Sequence, residues 1–135
     1  MVLYKSSYKE VKERGKTMGT RALIRVKQFN KTVNIYKHFD GYPSGLGFHL
    51  MRLLLEDSKI IEDGNKIVRW ILNELDTEVT FYNHIDIEYM YVIDCDKQDI
   101  KCYKVNNWGK SMVKKPVDLK TEYANHVLGK DLTTV

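Results

Sequence analysis

Apolar and polar positions alternate over residues 20–28, with Ala22, Ile24 and Val26 on one face and Arg21, Arg25 and Lys27 on the other; Leu23 is the exception. A period of two is the pattern of a half-buried strand. After Phe29, Asn30 and Lys31 the alternation resumes over residues 32–39, with Val33, Ile35 and Phe39 inward. The two segments predict a hairpin. The period then becomes helical. Leu46, Leu50, Leu53 and Leu54 share a face over residues 46–56. Glu62, Asp63 and Gly64 break this run, and Asn65 is the expected N-cap of a second helix over residues 66–75, which carries Ile67, Trp70, Ile71 and Leu75.

Three runs rich in β-branched and aromatic residues follow, over residues 78–83, 87–95 and 100–105. The middle one places Ile87, Tyr89, Tyr91 and Ile93 on one face and joins the last across residues 96–99. Residues 106–116 read as a loop, and residues 122–128 as a short helix stopped by Gly129. The order β-β-α-α-β-β-β-α predicts an α+β domain: a mainly antiparallel sheet of about five strands with helices packed on one face. This domain is expected over residues 18–128. Residues 1–17 form a basic arm or extension with a weak helical stripe (Val2, Leu3, Tyr4, Tyr8, Val11), and residues 129–135 a tail. The stripe is too short to be stable alone, so the arm is expected to dock on its own domain or on a second copy, giving a homodimer.

A chain of 135 residues can bury a real core. No apolar run approaches the ~20 residues of a membrane helix, and residues 1–17 hold no signal-like apolar stretch; the expected location is the cytoplasm. Cys95 and Cys102 are too few for a disulfide framework and read as reduced packing residues. The formal charge of +4 suits an acidic partner, but no nucleic-acid fold signature accompanies it. A protein partner is therefore expected over nucleic acid.

Candidate chemistry concentrates in residues 38–47. His38, Asp40, Gly41, Tyr42, Pro43, Ser44, Gly45 and Gly47 form the candidate ligand- or partner-binding set. Such special backbone residues beside ionisable side chains mark a shaped loop. On a regular strand His38 and Asp40 would project to one face, and with Ser44 they supply the residue types of acyl transfer. The rival reading is structural. Asp40 then caps the turn through Asx bonding, Gly41, Gly45 and Gly47 permit the bend, and Pro43 stiffens it. Residues 43–47 also lead into a helix start, where exposed amides attract anions, although no P-loop lysine follows. A metal reading would need the pairs His38/Asp40 and His84/Asp86 to meet on neighbouring strands; His49 and His126 stand apart from both. No compact ligand motif supports it, and no cofactor is expected. An N-terminal-nucleophile reading would need processing to expose Thr20.

Two stretches resemble a family of small proteins found in bacteriophages, other microbial viruses and microbial genomes. One is Met18-Gly19-Thr20-Arg21, leading into a hairpin and then His38-Phe39-Asp40-Gly41-Tyr42-Pro43-Ser44-Gly45-Leu46-Gly47. The other is the strand-like segment over residues 87–94. The resemblance covers most of residues 18–105, and its glycine loop is the specific part. It implies a recurrent accessory domain acting inside a host, on a host or viral protein, and brings no established activity. The chain departs from the family pattern in the 17 residues that precede Met18. The resulting expectation is a binding module using the glycine loop, with a small hydrolase built on His38 and Asp40 as the alternative.

Overall fold

The computed structural model describes residues 19–134 apart from Asn83, Ile85 and residues 107–110 and 113–115. The expected arm of residues 1–17 lies outside the described residues. The elements are β1 (Ala22–Gln28), β2 (Lys31–Lys37), a π-helical turn (Pro43–Gly47), α1 (Phe48–Glu56), α2 (Ser58–Ile61), α3 (Gly64–Glu74), β3 (Thr77–Val79), β4 (Tyr89–Asp94), β5 (Asp99–Asn106), β6 (Ser111–Met112) and α4 (Leu119–Thr134). The α+β class, the mainly antiparallel sheet and the helices on one face stand as the sequence predicts.

Strand order across the six-stranded sheet is β3-β2-β1-β4-β5-β6. β1 pairs antiparallel with β2 from Ala22↔Lys37 to Gln28↔Lys31. It also pairs parallel with β4, from Ala22↔Tyr89 to Lys27↔Asp94. Consecutive hairpins would have made every contact antiparallel. The parallel contact arises because residues 80–88 carry the chain from β3, at the outer edge, back to the start of β1. β1 is therefore a central strand.

One sheet face holds the main core. Ala22, Ile24 and Val26 of β1, Ile35 of β2 and Tyr91 and Ile93 of β4 pack there with Leu50, Leu53, Ile67 and Ile71 from the helices. Cys95 and Cys102 are buried in the same cluster as free thiols. The opposite face has a smaller cluster of Leu23, Tyr36, Ile87, Met90 and Val105. Ile87 thus lies outside β4 and on the face away from Tyr91 and Ile93, because the strand begins two residues later than the alternation suggested.

Helix limits also differ. α3 is capped by Asp63, whose carboxylate accepts the Asn65 N–H at 2.9 Å, so Asn65 is inside the helix. The Gln28 side chain fixes this choice by accepting the Gly64 N–H at 2.8 Å and donating to the Glu62 carbonyl at 2.9 Å. α4 starts at Leu119 and continues through Gly129, the expected stop.

Two glycine substitutions should separate packing from propensity. A Cβ at Gly41 would sit 2.6 Å from the Ala22 Cβ and 2.9 Å from the Thr20 carbonyl oxygen. Gly41→Ala should cost about 1–3 kcal/mol, as overpacking does. A Cβ at Gly129 meets nothing within 4 Å, so Gly129→Ala should stabilise α4 by up to ~1 kcal/mol from helix propensity. Urea unfolding for the first and helix content by circular dichroism for the second check these opposite signs.

Candidate functional site

The loop after β2 is shaped by contact with the sheet. The Gly41 N–H donates to the Thr20 carbonyl at 2.9 Å, and the buried Tyr91 hydroxyl donates to the Gly41 carbonyl at 2.7 Å. Gly47 lies against Tyr91 and Leu119; a Cβ there would come within 2.8 Å of the leucine methyl. Neither glycine adopts the left-handed region, nor does Gly45. The left-handed residue is Asp40, at φ 56°. This corrects the division of labour expected from the sequence: the aspartate makes the bend and the glycines permit close approach. The Asp40 carboxylate accepts the Tyr42 hydroxyl at 3.2 Å, and its carbonyl accepts the Leu46 N–H at 3.0 Å. The negative charge of Asp40, then burial, pushes the Tyr42 phenol above its ordinary range.

His38 and Asp40 do not act from one strand face. β2 ends at Lys37, and the positive φ of Asp40 breaks the alternation on which their shared face depended. His38 meets Glu78 at 3.3 Å and lies edge-on to Tyr36, with ring centroids 4.5 Å apart. It lines a small depression with Asp76, Thr77 and Glu78. Burial, then the Glu78 charge, raises the Asp76 carboxyl. Ser44 is elsewhere, in a groove between the π-helical turn and α4. His38 and Ser44 therefore line separate depressions, which is not the convergence that acyl transfer requires.

The anion reading meets a donor shortage. In the π-helical turn the Gly45 N–H donates to the Tyr42 carbonyl at 3.0 Å, and the Gly47 N–H reaches the same oxygen at 3.5 Å. The Phe48 N–H is taken by the Gly45 and Pro43 carbonyls. Together with Leu46, the amides of Gly45 to Phe48 are engaged internally, so these four are not offered to an anion.

The histidine pairs weighed for metal do approach one another in part. His84 stacks on Tyr36 with centroids 3.8 Å apart, on the ring whose other neighbour is His38. His84 Nε2 shares a hydrogen bond with the Thr80 hydroxyl at 2.7 Å. Asp86 accepts the Tyr36 hydroxyl at 2.7 Å and pairs with Arg21 at 2.9 Å. Among the described residues no group of three or more His, Cys, Asp or Glu is placed to share an ion. The arrangement fastens Thr80, His84 and Asp86 onto the outer sheet face.

What sequence reasoning missed is the second wall of the loop groove. Ser44 and Phe48 stand on one side; Tyr123 and His126 of α4 stand on the other, about 80 residues later in the chain. Phe48 touches both, with centroids 5.4 Å from Tyr123 and 5.0 Å from His126. Tyr42, Pro43, Tyr89, Glu122 and Asn125 extend the same groove around the loop, over about 790 Å³. His49 and Arg52 continue it along α1, where Arg52 is paired with Glu56 at 3.1 Å. Only the helical spacing of Glu122, Tyr123 and His126 signalled a shared face.

No helix among the described residues is long and apolar enough to cross a membrane. Compared with family models, curated proteins and solved structures, the chain finds no match.

The thiols give a sharp solution test. Burial pushes Cys95 up to about 11 and Cys102 up to about 12, from an ordinary value of 9.0. The folded protein therefore holds both protons where the unfolded chain releases them. Their contribution to stability is complete below pH 9.0 and is lost as pH rises through the folded values. Thiol titration with a disulfide reagent at pH 8 should be slow in the native protein and rapid in denaturant. The Tyr91→Phe change removes the donor to Gly41 and leaves a buried carbonyl unsatisfied. It should cost about 1–3 kcal/mol in urea unfolding.

Proposed function

We propose that this chain is a small binding protein whose glycine-loop edge grips a segment of a protein partner in the groove between residues 42–48 and α4. The observation that carries this reading is the alignment of Tyr42, Pro43 and Ser44 along one groove with Tyr89, Glu122 and His126. Tyrosine, phenylalanine and histidine side chains fixed by packing are effective contact residues at small cost in side-chain entropy. Tyr42 is 38% exposed and braced by Asp40, so its ring is presented rather than folded inward.

Mixed charge supports a protein over nucleic acid. Glu122 stands in the groove, and Arg52 is already neutralised by Glu56. A groove that tracks a phosphate backbone needs uncompensated cations along its length. The resemblance of residues 18–105 to phage-borne accessory proteins is consistent with a host or viral protein as the partner and a host cytoplasm as the setting. The hydrolase alternative has less support, since His38 and Ser44 line different depressions.

Site-specific photocrosslinking tests the proposal. A crosslinking residue placed at the exposed Ser44 should trap a protein partner, and one at the exposed Lys101 on β5 should not. The Tyr42→Ala/His126→Ala double variant should abolish trapping while leaving the melting curve within a few degrees of wild type. Equal trapping at both positions would falsify the groove as the contact. A trapped species that nuclease destroys would replace the protein partner with nucleic acid.

A further inference from the structure

A second surface lies at the other end of the sheet, where the β1–β2 turn meets α3. An apolar groove of about 480 Å³ there is lined by Val26, Phe29 and Val33 from the hairpin and by Val68 and Leu72 from α3. Among the described residues, the charged ones that line it are Lys31 and Arg69, both cationic. Neither forms an ion pair among the described residues. Phe29 is 79% exposed and sits in the left-handed region at φ 56°. That conformation is an outlier for an aromatic residue. It is held by the Asp96 carboxylate, which accepts the Phe29 N–H at 2.8 Å.

The groove also borders an open strand edge. β3 covers β2 only over Ile35–Lys37, and the Asn34 carbonyl accepts one further bond, from the Thr80 N–H at 2.9 Å. Successive residues of a strand direct their amide groups to opposite edges. Since Asn34 bonds outward, Thr32 also directs its N–H and C=O outward. No described strand pairs with β2 at Thr32 on that side. An added strand would therefore hydrogen-bond at Thr32 and place its alternate side chains on the Val33 face, into the groove.

We propose that this edge binds an extended, acidic segment of another protein. One apolar residue sits against Val33, Phe29 and Val68, and a carboxylate two positions away meets Lys31 or Arg69. Charge complementarity selects this occupant. The chain's own residues 1–17 have the wrong sign, with five Lys or Arg against two Glu.

The probe is a fluorescein-labelled peptide, Ser-Glu-Thr-Ile-Thr-Glu-Ser, whose Glu and Ile side chains share one strand face. It is titrated into the full-length chain by fluorescence anisotropy and mapped by amide chemical shifts. Binding is expected, with shifts at Thr32, Val33 and Val68. The Lys31→Glu/Arg69→Glu variant, changed only at exposed positions, should bind about tenfold or more weakly, a loss of about 1.4 kcal/mol. Replacing both peptide glutamates by lysine should do the same, and N-methylation of both peptide threonines should abolish binding. Absence of binding at ~1 mM peptide, a concentration that reaches even millimolar affinity, overturns the proposal. So does affinity indifferent to the charge reversals. A wild-type dimer that the same variant dissociates assigns the groove to a second copy and overturns it too. Shifts confined to Phe48 and His126 would place the peptide in the glycine-loop groove instead. The two sites therefore fail separately.

Discussion

The glycine-loop end of the molecule depends on one buried hydroxyl. Tyr91 stands in the middle of the sheet with no exposed surface, and its phenol must find an acceptor there or lose the hydration it had in water. The acceptor is the Gly41 carbonyl, 2.7 Å away. For that carbonyl to arrive, the loop must lie directly on β1, which leaves no room for a side chain at position 41. The same tyrosine ring bounds Gly47. Both ends of the loop are thus set by one core residue, and the π-helical turn between them has little freedom. α1 then leaves the turn in a fixed direction, and Leu119 at the start of α4 closes over Gly47. The groove between Ser44 and His126 is a consequence of how a tyrosine in the core satisfies its oxygen.

The outer face follows from a different constraint. A strand parallel to β1 must begin at the same end as β1, so the chain leaving β3 has to return across the sheet. The described residues between Thr80 and Glu88 make that return over the face opposite the main core, where no helix among the described residues packs. Tyr36 supplies the anchor, through His84 stacked on its ring and Asp86 at its hydroxyl. Burial, then the Asp86 hydrogen bond, raises the Tyr36 phenol far above its ordinary range, so it serves as a fixed donor rather than an acid. The Arg21–Asp86 ion pair adds orientation. Its side chains are 24% and 44% exposed, where such pairs contribute about 0–1 kcal/mol.

Local periodicity made β1, β2, β4, β5 and the two main helices legible, because a period of two or of 3.6 is written in residue identity alone. The parallel β1–β4 contact was not legible, since Ala22 and Tyr89 meet only through the return over residues 80–88. The cap of α3 illustrates the limit at finer scale. Asp63 and Asn65 are both good N-caps by residue type; the choice is made by Gln28, a strand residue some 35 positions earlier. Likewise Gly41 and Gly47 announced an unusual backbone, but whether a glycine serves a bend or a contact depends on neighbours such as Ala22 and Leu119. The loop was legible as a shaped backbone, and the α4 wall of the groove beside it was not.

The trio His38, Asp40 and Ser44 shows how sequence spacing and geometry diverge. Two residues spaced by two share a face only while the backbone stays extended. Between His38 and Asp40 the strand has already ended, and the left-handed turn at Asp40 sends its carboxylate to Tyr42 while His38 turns to Glu78. The aspartate is then an element of shape: its backbone makes the corner, its carbonyl accepts Leu46, and its side chain steadies an exposed tyrosine. The loop's amides from Gly45 to Phe48 are engaged within the loop, and His38 and Asp40 each meet a neighbour of their own. What the loop offers outward is the Tyr42 ring and the Pro43–Ser44 backbone, held still beside the aromatic face of α4. Rigid, solvent-facing apolar edges of this kind gain most from recognition, where the ordering cost has already been met in folding.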